Sequence, residues 1–436
     1  MTRSPYPKAF HVMAKPAGSA CNLRCEYCFF FNKKSLYPGS RLRMGDDVHK
    51  EYIRQLLDAH RTTWVTVAWQ GGEPTLMGLD FYRRSLELQD RYRKPSTVIE
   101  NTFQTNGILL TDEWCRFFRE NNFLVGLSMD GPQELHDRYR RDPRGHGSFD
   151  SVLKAARLLQ EHGVEFNILS TVNRKNAGRP LEVYRFFRDV IKARYIQFIP
   201  IVEKEDAAVL RAGKAPTGRS VSPARWGSFL KGIFDEWVRR DVGETFVLNF
   251  DAVLAGWLGH AGTVCILGPS CGLGLALEHN GDLYSCDHFV DPGHLLGNIL
   301  TTPMIELVSS EKQRRFGRDK RDTLPRQCRQ CRYLFLCNGE CPKNRLIETA
   351  EGEPGLNYLC EGYRTFFSHT EKSMQDMAGL MRLGRPASDV MRLSTGKVPP
   401  AHTGFAGVGR NDPCPCGARD AEGKRLKYKK CHGGQI

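Results

Sequence analysis

From about residue 10 to 200, short runs rich in β-branched and aromatic residues alternate with longer stretches whose apolar positions recur at helical spacing. The short runs predict strands at Phe10–Ala14, Trp64–Trp69, Thr97–Gln104, Phe123–Ser128, Glu165–Val172 and Tyr195–Pro200. Helices are predicted between them, near 46–60, 79–93, 112–121, 149–162 and 180–191. Six such units in series imply an α/β fold, an open or partial (β/α)6 barrel of TIM-like design with its helices outside. In such folds chemistry sits in the loops that follow the strands. Those loops hold CNLRCEYC, QGGEP and QTNG after the first three strands, and the fourth strand runs straight into SMDG. Four polar or Gly-rich clusters at one topological level read as one site.

The alternation breaks at 204–222, a polar stretch rich in Gly, Pro and Ala of the kind found in linkers and long surface loops. A helix is predicted near 223–240. Residues 265–360 then carry eight cysteines with little periodicity, as in a small fold organised around bound metal. From about 380 to 410 the chain has the composition of a flexible tether, and a separate Cys-rich segment ends it. The expected division is 1–222, 223–375, a linker over 376–408, and a terminal module over 409–436.

The chain of 436 residues has no run approaching the ~20 apolar residues a bilayer crossing needs, so a membrane span is excluded. Pro5, Pro7 and Pro16 break an N-terminus that lacks the apolar segment of an export signal, which places the protein in the cytoplasm. There thiols stay reduced, so the 15 cysteines point to metal, clusters or redox chemistry instead of disulfides. The net charge of +14 would suit a nucleic-acid or acidic partner. Residues 361–436 hold thirteen Lys and Arg against seven Asp and Glu, so much of the excess lies in a basic tail.

Cys21, Cys25 and Cys28 form CxxxCxxC just past a strand. Three close thiolates fill three corners of a cubane and leave the fourth iron open to a small chelating ligand; three thiolates also suit zinc. With an aromatic residue, Tyr27, before the last cysteine, this motif resembles the signature of the radical S-adenosylmethionine enzymes. GGEP at Gly71–Pro74 resembles the segment that holds the methionine amino group. The resemblance implies Glu73 as a polar anchor, Gly71 and Gly72 for close backbone approach, and Gln104, Asn106 and Ser128 as pocket residues.

The second cysteine group reads CxxxxxC, then a lone Cys286, then CxxCxxxxxCxxxC and Cys360. Eight thiolates divide naturally into two sets of four, as two complete cubanes require; a zinc-ribbon arrangement is the alternative. The pattern resembles the SPASM extension of radical enzymes that modify peptides. By that resemblance one auxiliary cluster takes Cys265, Cys271, Cys286 and Cys341, and the other takes Cys328, Cys331, Cys337 and Cys360. Taken together, AKPAGSACNLRCEYCFF, WQGGEPTL, QTNG, VGLSMDGP and CDHFVDPGHLLGNI are similar to the anaerobic sulfatase-maturating enzymes, over about residues 8–365.

This resemblance implies three 4Fe-4S clusters, S-adenosylmethionine, and an electron donor such as flavodoxin or ferredoxin. The substrate would be an unfolded sulfatase chain, whose Cys or Ser in a C/S-x-P/A-x-R segment becomes Cα-formylglycine. A deoxyadenosyl radical would remove a Cβ hydrogen, a base would take the thiol or hydroxyl proton, and a cluster would accept the remaining electron. Asp287, directly after Cys286, is the base the resemblance implies; an Asp in that position also suits a turn or cap. A ribosomal-peptide crosslinking or epimerising enzyme is the rival of the same chemistry. A basic zinc-rich nucleic-acid binder is the rival of another class, and it leaves CxxxCxxC and GGEP without a purpose.

His288 and His294 flank Asp291, Pro292 and Gly293 and are expected to be solvated or hydrogen-bonded instead of ligating. Cys115, within TDEWCRFF, is expected in the core. Cys414, Cys416, Cys431 and His432 offer the donor set of a closed structural zinc. They resemble the SEC-C zinc module, with an insertion around Ala418–Leu426. With five basic residues at Lys424–Lys430 the module is expected to dock a protein partner before nucleic acid.

Overall fold

The computed structural model describes residues 6–204, 218–260, 262 and 264–393. Six parallel strands lie in chain order across one sheet: β1 (His11–Lys15), β2 (Trp64–Trp69), β3 (Val98–Thr105), β4 (Leu124–Ser128), β5 (Phe166–Val172) and β6 (Tyr195–Pro200). They follow the predicted runs closely, because a covered parallel sheet selects nearly continuous apolar segments such as WVTVAW. The connecting helices are α1 (Asp46–Ala59), α2 (Leu79–Tyr92), α3 (Asp112–Glu120), α4 (Phe149–Glu161) and α5 (Pro180–Arg185). Trp69, Tyr82, Phe103 and Trp114 tie β2, α2, β3 and α3 together, with successive ring centroids 5.5, 5.0 and 5.6 Å apart. Each such aromatic pair contributes about 0.5–1.5 kcal/mol beyond its buried area. Cys115 is fully buried on α3, as expected.

The sheet does not stop at six strands. β7 (Phe246–Val247) adds beside β6, while β8 (Gly274–Glu278) pairs in parallel with β1 and leads into antiparallel β9 (Asp282–Tyr284) and β10 (Leu295–Asn298), making ten. The Cys-rich half thus begins as a continuation of the barrel sheet. The physical reason is that β1 would otherwise leave an edge of unpaired backbone groups, which buried Leu275, Ala276 and Leu277 cover. The register places Lys15 opposite Glu278, so the segment after β8 rises beside the loop after β1.

Helix α6 (Pro223–Arg240) starts where predicted, with the Ser222 hydroxyl accepting from the Arg225 amide at 3.4 Å and Pro223 in the first turn. After α7 (Leu248–Trp257), the long helix α8 (Cys360–Arg382) packs along α6. Their backbones nearly touch at Gly227 and Gly362, where a Cβ on Gly362 would lie 2.2 Å from the Pro223 carbonyl oxygen. Helix α8 runs into the segment predicted as linker from 376, because Met374, Met377, Ala378 and Leu380 recur at helical spacing and are buried. Val390, on a short helix at Val390–Leu393, is buried too. The rest of that linker, much of 204–222, and Cys414, Cys416, Cys431 and His432 lie outside the described residues. Among the described residues, no helix is long and apolar enough to cross a membrane.

Candidate active site

The loop after β1 carries Cys21, Cys25 and Cys28 and is held from two sides. On one side the Gly72 amide donates to the Gly18 carbonyl and the Glu73 amide to that of Ala20, each at 2.8 Å. Contact is so close that a Cβ on Gly72 would lie 1.9 Å from the Ala20 oxygen. Gly71 has φ +124°, and its added Cβ would press on Lys15. On the other side the Arg24 and Glu26 amides donate to the carbonyls of Arg141 and Tyr139. Burial pushes the Cys21 thiol up to about 12 and that of Cys25 to about 11. Buried thiols of this kind ionise only beside strong positive charge, which cluster irons supply.

The predicted pocket residues converge around this loop. Asn106 Nδ2 donates to Asn22 Oδ1 at 2.7 Å and approaches Cys21 Sγ at 3.7 Å. Gln104 Nε2 donates to Ser128 Oγ at 2.9 Å, joining the ends of β3 and β4. Gly126 leaves room for Gln104, whose Oε1 would sit 2.1 Å from an added Cβ. Glu73 is buried and turned inward: its carboxylate accepts from the Asn106 amide, the Thr105 hydroxyl, and both the amide and hydroxyl of Thr75. It thereby locks the β2 and β3 ends together. Tyr27 donates to Asp130 Oδ2 at 2.5 Å and accepts from Arg140 Nη1 at 2.9 Å, while Asp130 Oδ1 accepts from the Thr171 amide.

Asp287 opens the short turn after β9 and forms an ion pair with Lys15, the last residue of β1. Lys15 is only 2% exposed, donates to Gln70 Oε1 at 3.2 Å, and lies over the Phe30 ring at 4.4 Å. Burial pushes the Asp287 carboxyl up, yet Lys15 and then His288 outweigh it and hold the group below the ordinary carboxylate value. The carboxylate is therefore ionised at neutral pH, with a buried cation fixing its direction. His294 bonds to Asp291 at 2.9 Å, as expected. His288 departs from expectation: its ring packs on Phe29, its Nδ1 is buried with no partner, and burial pushes its pKa down to about 4.

The remaining cysteines stand in two electrostatic neighbourhoods. The thiol of Cys286 feels Cys265 and Cys271, and that of Cys341 feels Cys286 and Cys271. The Cys337 thiol feels Cys360 and Cys328, and Cys360 feels Cys328 and Cys331. Burial raises each of these four, and all eight are free of disulfides. Grouped, reduced and buried thiols are the donor set of iron-sulfur clusters. Lys15, Asp130 and Arg140 belong to the site although the motif reading passed over their side chains. A lysine closing an otherwise apolar strand was the signal for the first, and Asp130 lies within SMDG.

A parallel barrel with a three-thiol loop at its strand ends, extended by an eight-cysteine half, defines a radical S-adenosylmethionine fold with a SPASM domain. The Radical SAM superfamily model matches residues 16–187, and the SPASM iron-sulfur cluster-binding domain model matches 271–332. The chain is 47% identical over 408 residues to the serine-type anaerobic sulfatase-maturating enzyme of Bacteroides thetaiotaomicron, covering 91% of this chain and 98% of that relative. It is 34% identical over 367 residues to a cysteine-type enzyme of Clostridium perfringens, covering 82% of this chain and 95% of the relative. A solved structure of native anSMEcpe with bound AdoMet and Kp18Cys peptide aligns with TM-score 0.76 at 33% identity, over 84% of this chain and 98% of that one. The chain belongs to the family of anaerobic sulfatase-maturating enzymes.

Proposed function

We propose that the chain oxidises a Cys or Ser side chain, within a C/S-x-P/A-x-R segment of an unfolded sulfatase polypeptide, to Cα-formylglycine. The observation that carries this reading is the ionised, buried Asp287 held by Lys15 at the strand ends that also carry the three-cysteine loop. Kinship with relatives named serine-type and cysteine-type supplies the substrate class. Cys21, Cys25 and Cys28 would hold the first cluster. Cys265, Cys271, Cys286 and Cys341 would hold one auxiliary cluster, and Cys328, Cys331, Cys337 and Cys360 the other; the two electrostatic neighbourhoods support that division. Tyr27, Gly71, Gly72, Glu73, Gln104, Asn106 and Ser128 would frame S-adenosylmethionine. Bound there, these groups supply a carbon radical that removes a Cβ hydrogen and an acceptor for the remaining electron.

The chain's own residues handle the proton and the geometry. Asp287 takes the thiol or hydroxyl proton of the substrate, and Lys15 keeps its carboxylate charged and aimed until then. Glu73 holds the cofactor-facing strand ends rigid through its four internal hydrogen bonds. In this reading residues 1–222 are the radical half and 223–375 the SPASM half, and the protein works in the cytoplasm with flavodoxin or ferredoxin as reductant. Cys414, Cys416, Cys431 and His432 would hold a structural zinc whose module docks a protein partner.

The test is anaerobic reconstitution, then incubation with S-adenosylmethionine, reductant and either a C-x-P-x-R or an S-x-P-x-R peptide, read by mass spectrometry. About twelve irons per chain, as three cubanes require, with deoxyadenosine and a peptide aldehyde, are expected. Deoxyadenosine without aldehyde from either peptide would move the substrate to another peptide class. Metal analysis of the full chain against a chain truncated before residue 409 should show one zinc lost.

A further inference from the structure

The two auxiliary cysteine sets are joined through one short turn. Cys337 and Cys341 fall in different sets, and the three residues between them, Asn338, Gly339 and Glu340, all adopt left-handed backbone, with φ 48°, 71° and 52°. Two of these are not glycine, so something must hold them there. Arg345 does: its Nε donates to the Gly339 carbonyl at 3.1 Å and its Nη2 to that of Asn338 at 3.2 Å. Asn338 Nδ2 in turn donates to the Leu267 carbonyl at 2.8 Å, beside Cys265. The Glu340 carboxylate is buried and satisfied by Asn344 and Asn357. The other buried cation, Lys320, spends its ammonium on the carbonyls of Cys265 and Ile266 at 2.7 and 2.9 Å.

Arg345 differs from Lys320 in having a donor left over. Its Nη1 is buried and has no hydrogen-bond partner. A buried guanidinium N–H without an acceptor costs about 1–3 kcal/mol or more, so the site is built for an acceptor that the polypeptide does not itself provide. The thiols whose charge reaches this guanidinium are those of Cys328, Cys271 and Cys337, which span both sets.

We propose that Arg345 Nη1 donates a hydrogen bond to a sulfur of an auxiliary cluster on the Cys328 and Cys337 side, making Arg345 a positioning residue that sets that cluster's reduction potential. The inference rests on the cluster assignment proposed above. A cation with an N–H···S bond stabilises the reduced, more negative cluster, so it raises the potential and favours acceptance of an electron.

The experiment uses the full chain with Cys21, Cys25 and Cys28 replaced by Ala, so that signals from the auxiliary clusters stand alone. Midpoints are read by anaerobic EPR-monitored titration with Arg345, Arg345→Gln and Arg345→Lys at equal iron content. Arg345→Gln should move one auxiliary midpoint to more negative potential and the other by much less, with Arg345→Lys in between. Unchanged midpoints at about eight irons per chain would overturn the role of Arg345 while leaving the two-cluster reading standing. Absence of auxiliary iron in the Arg345 parent would overturn both. Should Arg345→Gln not load, the parent labelled with guanidino-15N arginine decides: a 15N hyperfine coupling on the reduced cluster supports the bond, and its absence overturns it.

Discussion

The Lys15–Asp287 pair can be dissected by a double-mutant cycle using Lys15→Met and Asp287→Asn. The two side chains are 2% and 13% exposed, so solvent screens their interaction little. Removing one partner strands the other charge in a buried setting, at a cost of about 3–5 kcal/mol; the 13% exposure of Asp287 favours the lower end. Removing both leaves no buried charge, so the double variant should be no less stable than either single one, and the coupling energy should be about 3 kcal/mol. The assay is the apparent unfolding midpoint by anaerobic scanning fluorimetry, at one scan rate and matched iron content. Because Lys15 holds Asp287 below the ordinary carboxylate value, the pair's contribution is fully present above about pH 4 and fades as pH falls through the lower folded value. The acid limb of the parent's stability should therefore flatten in Asp287→Asn. A double variant whose loss equals the sum of the two single losses would refute the coupling.

Four further outcomes follow from the same geometry. Cys25→Ala should abolish deoxyadenosine formation and remove about four irons per chain, counted chemically. Asp287→Asn should still form deoxyadenosine but lose most peptide aldehyde by mass spectrometry; full aldehyde yield would remove Asp287 from the reaction. Gly72→Ala drives a methyl group to 1.9 Å from the Ala20 oxygen, so it should lose the first cluster's iron while keeping the other eight atoms or so. Asp251, on α7, has its carboxyl pushed up to about 7 by burial, so the native state holds a proton that the unfolded chain releases. Its stability should therefore fall as pH rises from about 4 to 7, by up to roughly 4 kcal/mol, and Asp251→Asn should raise the unfolding midpoint at pH 8.

How much was legible depends on how local the signal was. The strand Trp64–Trp69 was readable end to end, because burial on both faces leaves an apolar run with nothing else to explain it. The spacing of Cys21, Cys25 and Cys28, and the position of QGGEP, QTNG and SMDG after successive strands, were readable because one turn or one strand end sets them. Strand β8 was not, since its pairing partner β1 lies more than 250 residues earlier and its own sequence, GLALE, is short. The end of helix α8 was missed because a composition average over 380–410 hides the buried Met374, Met377 and Leu380. Glu73 was read as facing a ligand, whereas its surroundings turn both carboxylate oxygens toward Thr75, Thr105 and Asn106.

By itself, then, the sequence determined the barrel, the strand-end level of the site and the number of thiols available. These follow from periodicity and short spacing, which act within one element. Only the tertiary structure decided which charges meet: Lys15 with Asp287 across 272 positions, and Arg345 with the turn between Cys337 and Cys341. The reason is that burial makes a charge depend on its neighbours in space, and the parallel pairing of β8 with β1 chooses those neighbours.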